Sequence, residues 1–332
     1  MKQFKTGLVV GKFSPLHLGH ELLIQRAMDA CDATFIISYS LPELPGCEAH
    51  KREQWLRARF PDAVVLVVDK DVPHNDDDAL IHRRFCASLC MDALGTTVEA
   101  VFTSEGYGDG FALELGRCFT GRTGRPHAVQ HVNVDQARRM VPVSGTMARS
   151  DPHAHRRFLP DVVYASFVER VCILGGESSG KTTLAAALAE RLDTAWVPEY
   201  GRELWVAQDG VLNYEDMACI GRTQLQREAQ ARLQAKRFLF CDTSPLTTLF
   251  YSREMFGSAD PALEAMADAP YEHFFLCAPD FDFIQDGTRR DVDFRQQQHS
   301  WYLDQLSRRK HPYVLLTGPL ERRIADAIAQ LG

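Results

Sequence analysis

Gly175-Gly176-Glu177-Ser178-Ser179-Gly180-Lys181-Thr182 fits the pattern GxxxxGK[ST] and lies between the apolar run Val171-Cys172-Ile173-Leu174 and the helix-like stretch Thr183 to Leu192. A strand, a glycine-rich bend and a helix start in this order commit the segment to a parallel α/β sheet. The bend turns backbone N–H groups inward, and the helix start adds positive potential, so the segment suits a polyphosphate. Lys181 is placed to reach the β and γ oxygens, and the Thr182 hydroxyl to ligate Mg²⁺. The expected nucleotide-binding residues are Gly175, Gly176, Glu177, Ser178, Ser179, Gly180, Lys181, Thr182 and Thr183. A second apolar strand, Phe238-Leu239-Phe240-Cys241, ends at Asp242, a candidate metal ligand or base. The competing role for Asp242 is a cap on the following helix, which Thr243 or Ser244 could serve equally well. Farther on, Asp286-Gly287-Thr288-Arg289-Arg290-Asp291 offers Arg289 and Arg290 for charge on a transferring phosphoryl group.

The rhythm of short apolar runs and helical stretches extends through the whole chain. In the first half the expected strands are 7–10, 34–38, 64–68 and 98–102; in the second they are 170–174, 238–241, 273–277 and 313–316. With 332 residues the chain has room for two cores. The fold class is therefore α/β with two parallel-sheet domains, divided near residue 165 into 1–165 and 166–332. Asp76-Asp77-Asp78 reads as the cap of the helix that follows it.

Net charge is −7, from 44 acidic against 37 basic residues. A surface built to hold nucleic acid would carry a basic field, so no nucleic-acid partner is expected and any anion site must be local. There is no charged leader and no run of apolar residues long enough to span a bilayer, so no membrane association is expected. Nine cysteines, several within apolar strands, fit a reducing cytoplasm. His82, Cys86 and Cys90 recur at helical spacing, but with no fourth ligand they read as an apolar helix stripe rather than a metal site. The sequence leaves the oligomeric state open, a homo-oligomer included.

Directly after the first strand comes Gly11-Lys12-Phe13-Ser14-Pro15-Leu16-His17-Leu18-Gly19-His20, leading into an amphipathic helix through Ala30. Two imidazoles three residues apart at a helix start can both face an anion, with Gly19 allowing close approach. Downstream, Val143-Ser144-Gly145-Thr146-Met147-Ala148-Arg149 sets hydroxyls before a short helix that carries an arginine, the makings of a polyphosphate clamp.

At these residues the sequence resembles a known family. GKFSPLHLGH looks like the (H/T)xGH motif of the nucleotidyltransferases, and VSGTMAR looks like their ISxTxxR signature. Both stand ahead of GGESSGKTT, an order similar to that in the bifunctional NadR proteins, which join a nicotinamide mononucleotide (NMN) adenylyltransferase to a ribosylnicotinamide kinase. Glu199-Tyr200-Gly201-Arg202-Glu203 and CDTSPLTT add to the likeness. The resemblance implies a Rossmann-like nucleotidyltransferase followed by a P-loop kinase, with ATP as substrate and Mg²⁺ as cofactor. It implies phosphorylation of nicotinamide riboside, then adenylylation of NMN to NAD and pyrophosphate.

In the first half it implies catalytic roles for His17 and His20, with ATP held by Gly11, Lys12, Phe13, Gly19, Ser144, Thr146 and Arg149. In the second half it implies catalytic roles for Lys181 and Asp242, and Mg²⁺ on Thr182 and Asp242. Trp196, Glu199, Tyr200 and Arg202 are the residues expected at the riboside. Either Asp242 or Glu199 would orient the attacking hydroxyl, and Tyr200 or Trp196 would stack on the pyridinium ring, the alternative for either ring being a place in the core. Gly106 departs from the family pattern. The repressor helix-turn-helix of some members is expected to be missing, because the first strand starts within ten residues of the first Met. Two alternatives are a nucleotide sensor with one inactive site, and a related enzyme acting on another nucleoside or a pantetheine-type substrate.

Overall fold

The structure, a computed structural model, describes residues 2–283 and 290–332. It divides into two compact units, Met1–Phe167 and Val168–Gly332.

The first unit runs β1 (Phe4–Val10), α1 (Leu18–Ala30), β2 (Cys31–Tyr39), α2 (Ala49–Arg59), β3 (Val64–Val68), α3 (Ala79–Ser88), β4 (Ala100–Thr103), α4 (Gly108–Thr123), β5 (Gln130–Asn133), α5 (Gly145–Ser150) and α6 (Asp161–Tyr164). Its sheet is wholly parallel in the order β3-β2-β1-β4-β5. Strands covered by helices on both faces need apolar side chains on both, which explains why β1 and β2 read as near-continuous apolar runs. Leu8, Ile37 and Val101 join α3 and α4 in one core through Cys86, Phe111, Leu115 and Phe119. Asp78 caps α3, its carboxylate accepting from the Leu80 N–H at 2.7 Å, as the acidic run suggested.

The second unit runs β6 (Glu169–Gly175), α7 (Lys181–Arg191), β7 (Trp196–Val197), α8 (Tyr200–Ala207), α9 (Tyr214–Arg232), β8 (Phe238–Asp242), α10 (Pro245–Phe256), α11 (Pro261–Met266), β9 (His273–Cys277), α12 (Val292–Arg308), β10 (Val314–Leu316) and α13 (Leu320–Leu331). Its parallel order is β10-β9-β6-β8-β7. Alternation along β6 builds both faces. Val171 and Ile173 pack with α7 and α13, whereas Cys172 and Leu174 pack with α9, α10 and α12. Each fully buried Leu or Phe contributes roughly 2 kcal/mol, so these two layers fix the sheet and leave the loops at its C-terminal edge free to hold ligand.

β5 and β7 were not anticipated. Both are edge strands: Gln130-His131-Val132-Asn133 has no apolar run, and β7 is two residues long. Among the described residues no helix is long and apolar enough to cross a membrane.

Candidate active sites

In each unit the strand order reverses beside the central strand, β1 or β6, and a crevice opens at the carboxyl ends of the strands on either side.

In the first unit that crevice receives the loop after β1. His17 is the N-cap of α1, its Nδ1 accepting from the His20 N–H at 3.3 Å. The two imidazoles are stacked, with centroids 3.6 Å apart and planes 14° apart, and the Phe13 ring meets His20 edge-on. Gly19 makes room for this pair, since a Cβ there would stand 3.1 Å from the His17 ring. Burial drives the His17 pKa down to about 4 and holds His20 well below its ordinary range, with His17 and Arg138 adding in the same direction. Both rings are therefore neutral near pH 7. His20 Nδ1 is buried and has no protein partner.

His20 lines a cavity of about 270 Å³ together with Gly11, Lys12, Phe13, Ser144, Thr146 and Arg149, and His17 backs it through the ring stack. Ser144 caps α5, and the Arg149 guanidinium bonds the Ser14 carbonyl and Thr146 Oγ1. Arg138 also lines this cavity and is paired with Glu105 at 3.0 Å, a cation that sequence reasoning missed although Arg138-Arg139 stood beside the hydroxyl motif. Next to it a cavity of about 330 Å³ shares Val10, Gly11, Lys12 and Tyr107, and is walled by Tyr39, His82 and Phe111 with Asn75, Asp77 and Arg83. His82 and Cys86 meet the Tyr39 hydroxyl there, at 2.9 and 3.6 Å, while Cys90 lies in the core.

In the second unit the glycine-rich bend joins β6 to α7 as expected. Lys181 Nζ donates to the Gly176 carbonyl at 3.0 Å, and Thr182 Oγ1 donates to Asp242 Oδ2 at 2.5 Å. Asp242 is 1% exposed, and its Oδ1 is buried without a protein partner. The helix cap considered for it is supplied by Ser244 instead. Burial raises the Asp242 pKa, opposed by Lys181; burial and then the charge of Asp242 push Glu199 up to about 7.

Ser178, Ser179, Gly180, Lys181, Thr182 and Thr183 line a cavity of about 280 Å³. A neighbouring cavity of about 290 Å³ is walled by Trp205, Leu212, Met217, Ile220 and Met255. Glu177, Glu199, Arg202 and Tyr251 line both. Glu177 accepts from the Tyr251 hydroxyl at 2.9 Å and from the Arg290 N–H at 2.8 Å.

Trp196 and Tyr200, the rings named for the riboside, stand away from this cavity. Trp196 packs against the core on one face of the sheet, and Tyr200 lies under the Arg227 guanidinium at 4.5 Å, so neither walls the cavity; the aromatic walls are Trp205 and Tyr251. Nothing in the apolar pattern told these rings apart: Trp196 stands on a two-residue edge strand, Tyr200 and Trp205 on one helix and Tyr251 on another. Arg290 lines the cavity of the second unit, its guanidinium over the Phe294 ring at 4.3 Å. Arg289, Asp286 and Gly287 lie outside the described residues.

Fold and sites together define the class: a Rossmann-like α/β unit of nucleotidyltransferase architecture followed by a P-loop unit of kinase architecture, each with a cavity at its first strand-to-helix loop beside a second one. A family model described as an AAA domain matches residues 170–323. The chain is similar to the "Trifunctional NAD biosynthesis/regulator protein NadR" of Escherichia coli K12, 27% identical over 322 residues, covering 87% of this chain and 72% of that protein. It is 28% identical over 314 residues to the protein of the same description from Salmonella typhimurium LT2, with the same coverage. Among solved structures, a NadR protein in complex with NR superposes with a TM-score of 0.77 at 21% identity, over 99% of this chain and 95% of that one. A NadR protein in complex with NAD and AMP-PNP gives 0.73 at 20% identity, over 100% and 96%. The NadR resemblance carried by the motifs thus extends along both halves.

Proposed function

We propose that this protein is a bifunctional NAD salvage transferase that phosphorylates nicotinamide riboside with ATP and adenylylates the resulting NMN to NAD and pyrophosphate. The observation that carries this reading is the pairing of cavities in each unit, a phosphate cavity sharing residues with one walled by aromatic side chains.

In the kinase unit the riboside sits between Trp205 and Tyr251, whose π-faces suit a cationic pyridinium, with Glu177 and Glu199 adding negative charge. Glu199 belongs to both cavities, at the seam where the 5′-hydroxyl meets the γ-phosphate. Its raised pKa makes it the better base, while Asp242 is committed to Thr182. As the hydroxyl oxygen bonds to the γ-phosphorus and the bond to ADP breaks, Glu199 takes the hydroxyl proton and Lys181 swings from the Gly176 carbonyl to the phosphate oxygens. The orphaned Oδ1 of Asp242 beside the Thr182 hydroxyl fits Mg²⁺, which would take its remaining ligands from phosphate and water. When bound it neutralises phosphate charge.

In the transferase unit an oxygen of the NMN phosphate attacks the α-phosphorus of ATP and pyrophosphate leaves, with no enzyme nucleophile required. The neutral His20 and His17 serve as hydrogen-bonding groups, and cationic charge comes from Lys12, Arg138 and Arg149. The mononucleotide takes the cavity with Tyr39, His82 and Tyr107. All nine cysteines are free, which suits a reducing cytoplasm.

The test feeds purified protein nicotinamide riboside, ATP and Mg²⁺ and separates NMN and NAD by chromatography. Both products are expected, and His20→Ala should lower NAD formation about 10²-fold or more while NMN formation persists. NMN alone from the wild-type protein would leave only the kinase; an equal loss of both products in the variant would end the two-site reading.

A further inference from the structure

When a loop turns its N–H groups toward a phosphate, its carbonyls face the other way, and a buried carbonyl needs a donor. In both units that donor is a buried arginine outside the cavities. Arg323 of α13 is 2% exposed. Its Nη1 donates to the Ser179 carbonyl in the phosphate loop at 2.9 Å, its Nη2 to the Ala278 carbonyl at 2.9 Å and to the Asp280 carboxylate, and its Nε to the Gly318 carbonyl at 2.8 Å. One guanidinium thus ties the loop to the chain just beyond β9 and β10.

Arg52 of α2 is fully buried and plays the same part in the first unit. Its Nη1 donates to the Lys12 carbonyl at 3.3 Å and its Nη2 pairs with Glu43 at 2.8 Å. That carbonyl also accepts from the Ser14 hydroxyl at 3.0 Å and the Ser38 hydroxyl at 3.3 Å.

We propose that Arg323 and Arg52 are positioning residues, one for each phosphate loop, that hold the carbonyls of Ser179 and Lys12 away from the cavity so that neighbouring N–H groups face the triphosphate. Only a guanidinium has donors spread widely enough to meet several acceptors at once; a lysine ammonium keeps the charge but gathers its donors on one atom. A residue present merely to fill the core would not place a buried charge against three carbonyls, as Arg323 does, or between a loop carbonyl and a carboxylate, as Arg52 does.

This inference rests on the two ATP sites of the functional reading, and each unit serves as the control for the other. The full-length chain is prepared with Arg323→Lys, Arg323→Gln, Arg52→Lys and Arg52→Gln, and both activities are measured. Arg323→Lys is expected to raise the KM for ATP in the kinase reaction about tenfold, with the riboside KM and the transferase kinetics unchanged. Arg52→Lys is expected to do the reverse, raising the ATP KM of the transferase and sparing the kinase. The Gln variants shift the same constants further.

A core-filling role would lower kcat per mole of protein with every KM unchanged, and that result overturns the proposal. So does loss of both activities from one substitution. Calorimetric binding of AMP-PNP to the same proteins separates this test from the functional reading. A wild-type chain that binds the analogue but makes neither product would sink the reading, while weakening of one of its two binding sites in the Lys variants would still support the arginine roles. Equal AMP-PNP affinity in wild-type and Lys variants overturns them.

Discussion

Asp242 is buried and Glu199 half-buried, both within the field of Lys181, and their surroundings separate their roles. Asp242 takes the Thr182 hydroxyl, whereas Glu199 lines both cavities of its unit. Glu199→Gln should lower the kinase kcat by about 10²–10⁴-fold with little change in either KM, as loss of a general base does. Asp242→Asn should instead raise the Mg²⁺ concentration needed for half-maximal rate, and a magnesium titration of both variants checks the distinction. From sequence alone these two carboxylates could not be separated, because the loops that bring Glu199, at the start of α8, and Asp242, at the end of β8, to the same cavity leave no fixed spacing between them. The phosphate motifs were legible because backbone geometry imposes glycine, lysine and hydroxyl residues at fixed spacing. Trp205 and Tyr251 were not, since a nucleoside wall assembled from α8 and α10 leaves no fixed spacing to read.

The helix α12 controls the second phosphate loop from outside the motif. Gln298 of that helix accepts the Glu177 N–H at 2.9 Å, and a Cβ on Gly176 would lie 2.6 Å from the Arg295 carbonyl. Backbone stands on the far side of that contact, so no rotamer change relieves it. Gly176→Ala should cost about 1–3 kcal/mol of strain and reduce kinase turnover at least about tenfold, leaving NAD formation from supplied NMN intact. Product analysis of the purified variant measures both. Among elements, long strands covered on both faces were readable as apolar runs, as Phe238–Asp242 shows. The edge strand Gln130–Asn133 was not, because its side chains remain partly in water and need not be apolar.

For the molecule as a whole, His17 and Glu199 pull their units in opposite directions as the medium turns acid. His17 has a folded pKa of about 4 against an ordinary 6.5, so its stabilising contribution is complete above 6.5 and is lost as pH falls toward 4, roughly 3 kcal/mol in all. Glu199, raised from 4.5 to about 7, binds its proton more tightly when folded, so it adds stability as pH falls through 7 toward 4.5. Brief heating without nucleotide or Mg²⁺, then assay at one common pH, should show the transferase surviving better at pH 7.5 than at pH 5.5 and the kinase the reverse. Equal survival curves for both activities would contradict it. The two-sheet organisation was legible because the strand and helix rhythm restarts after Ser150; these linked protonations were not, since they depend on what closes over each side chain.

The position of Arg323 on the last helix has a consequence for synthesis on the ribosome. The glycine-rich bend emerges well ahead of the guanidinium that meets its Ser179 carbonyl, 144 residues farther along the chain, so the kinase cradle cannot set until α13 has followed it out of the exit tunnel. The other loop has no such wait, because its own arginine, Arg52, stands only 40 residues from Lys12.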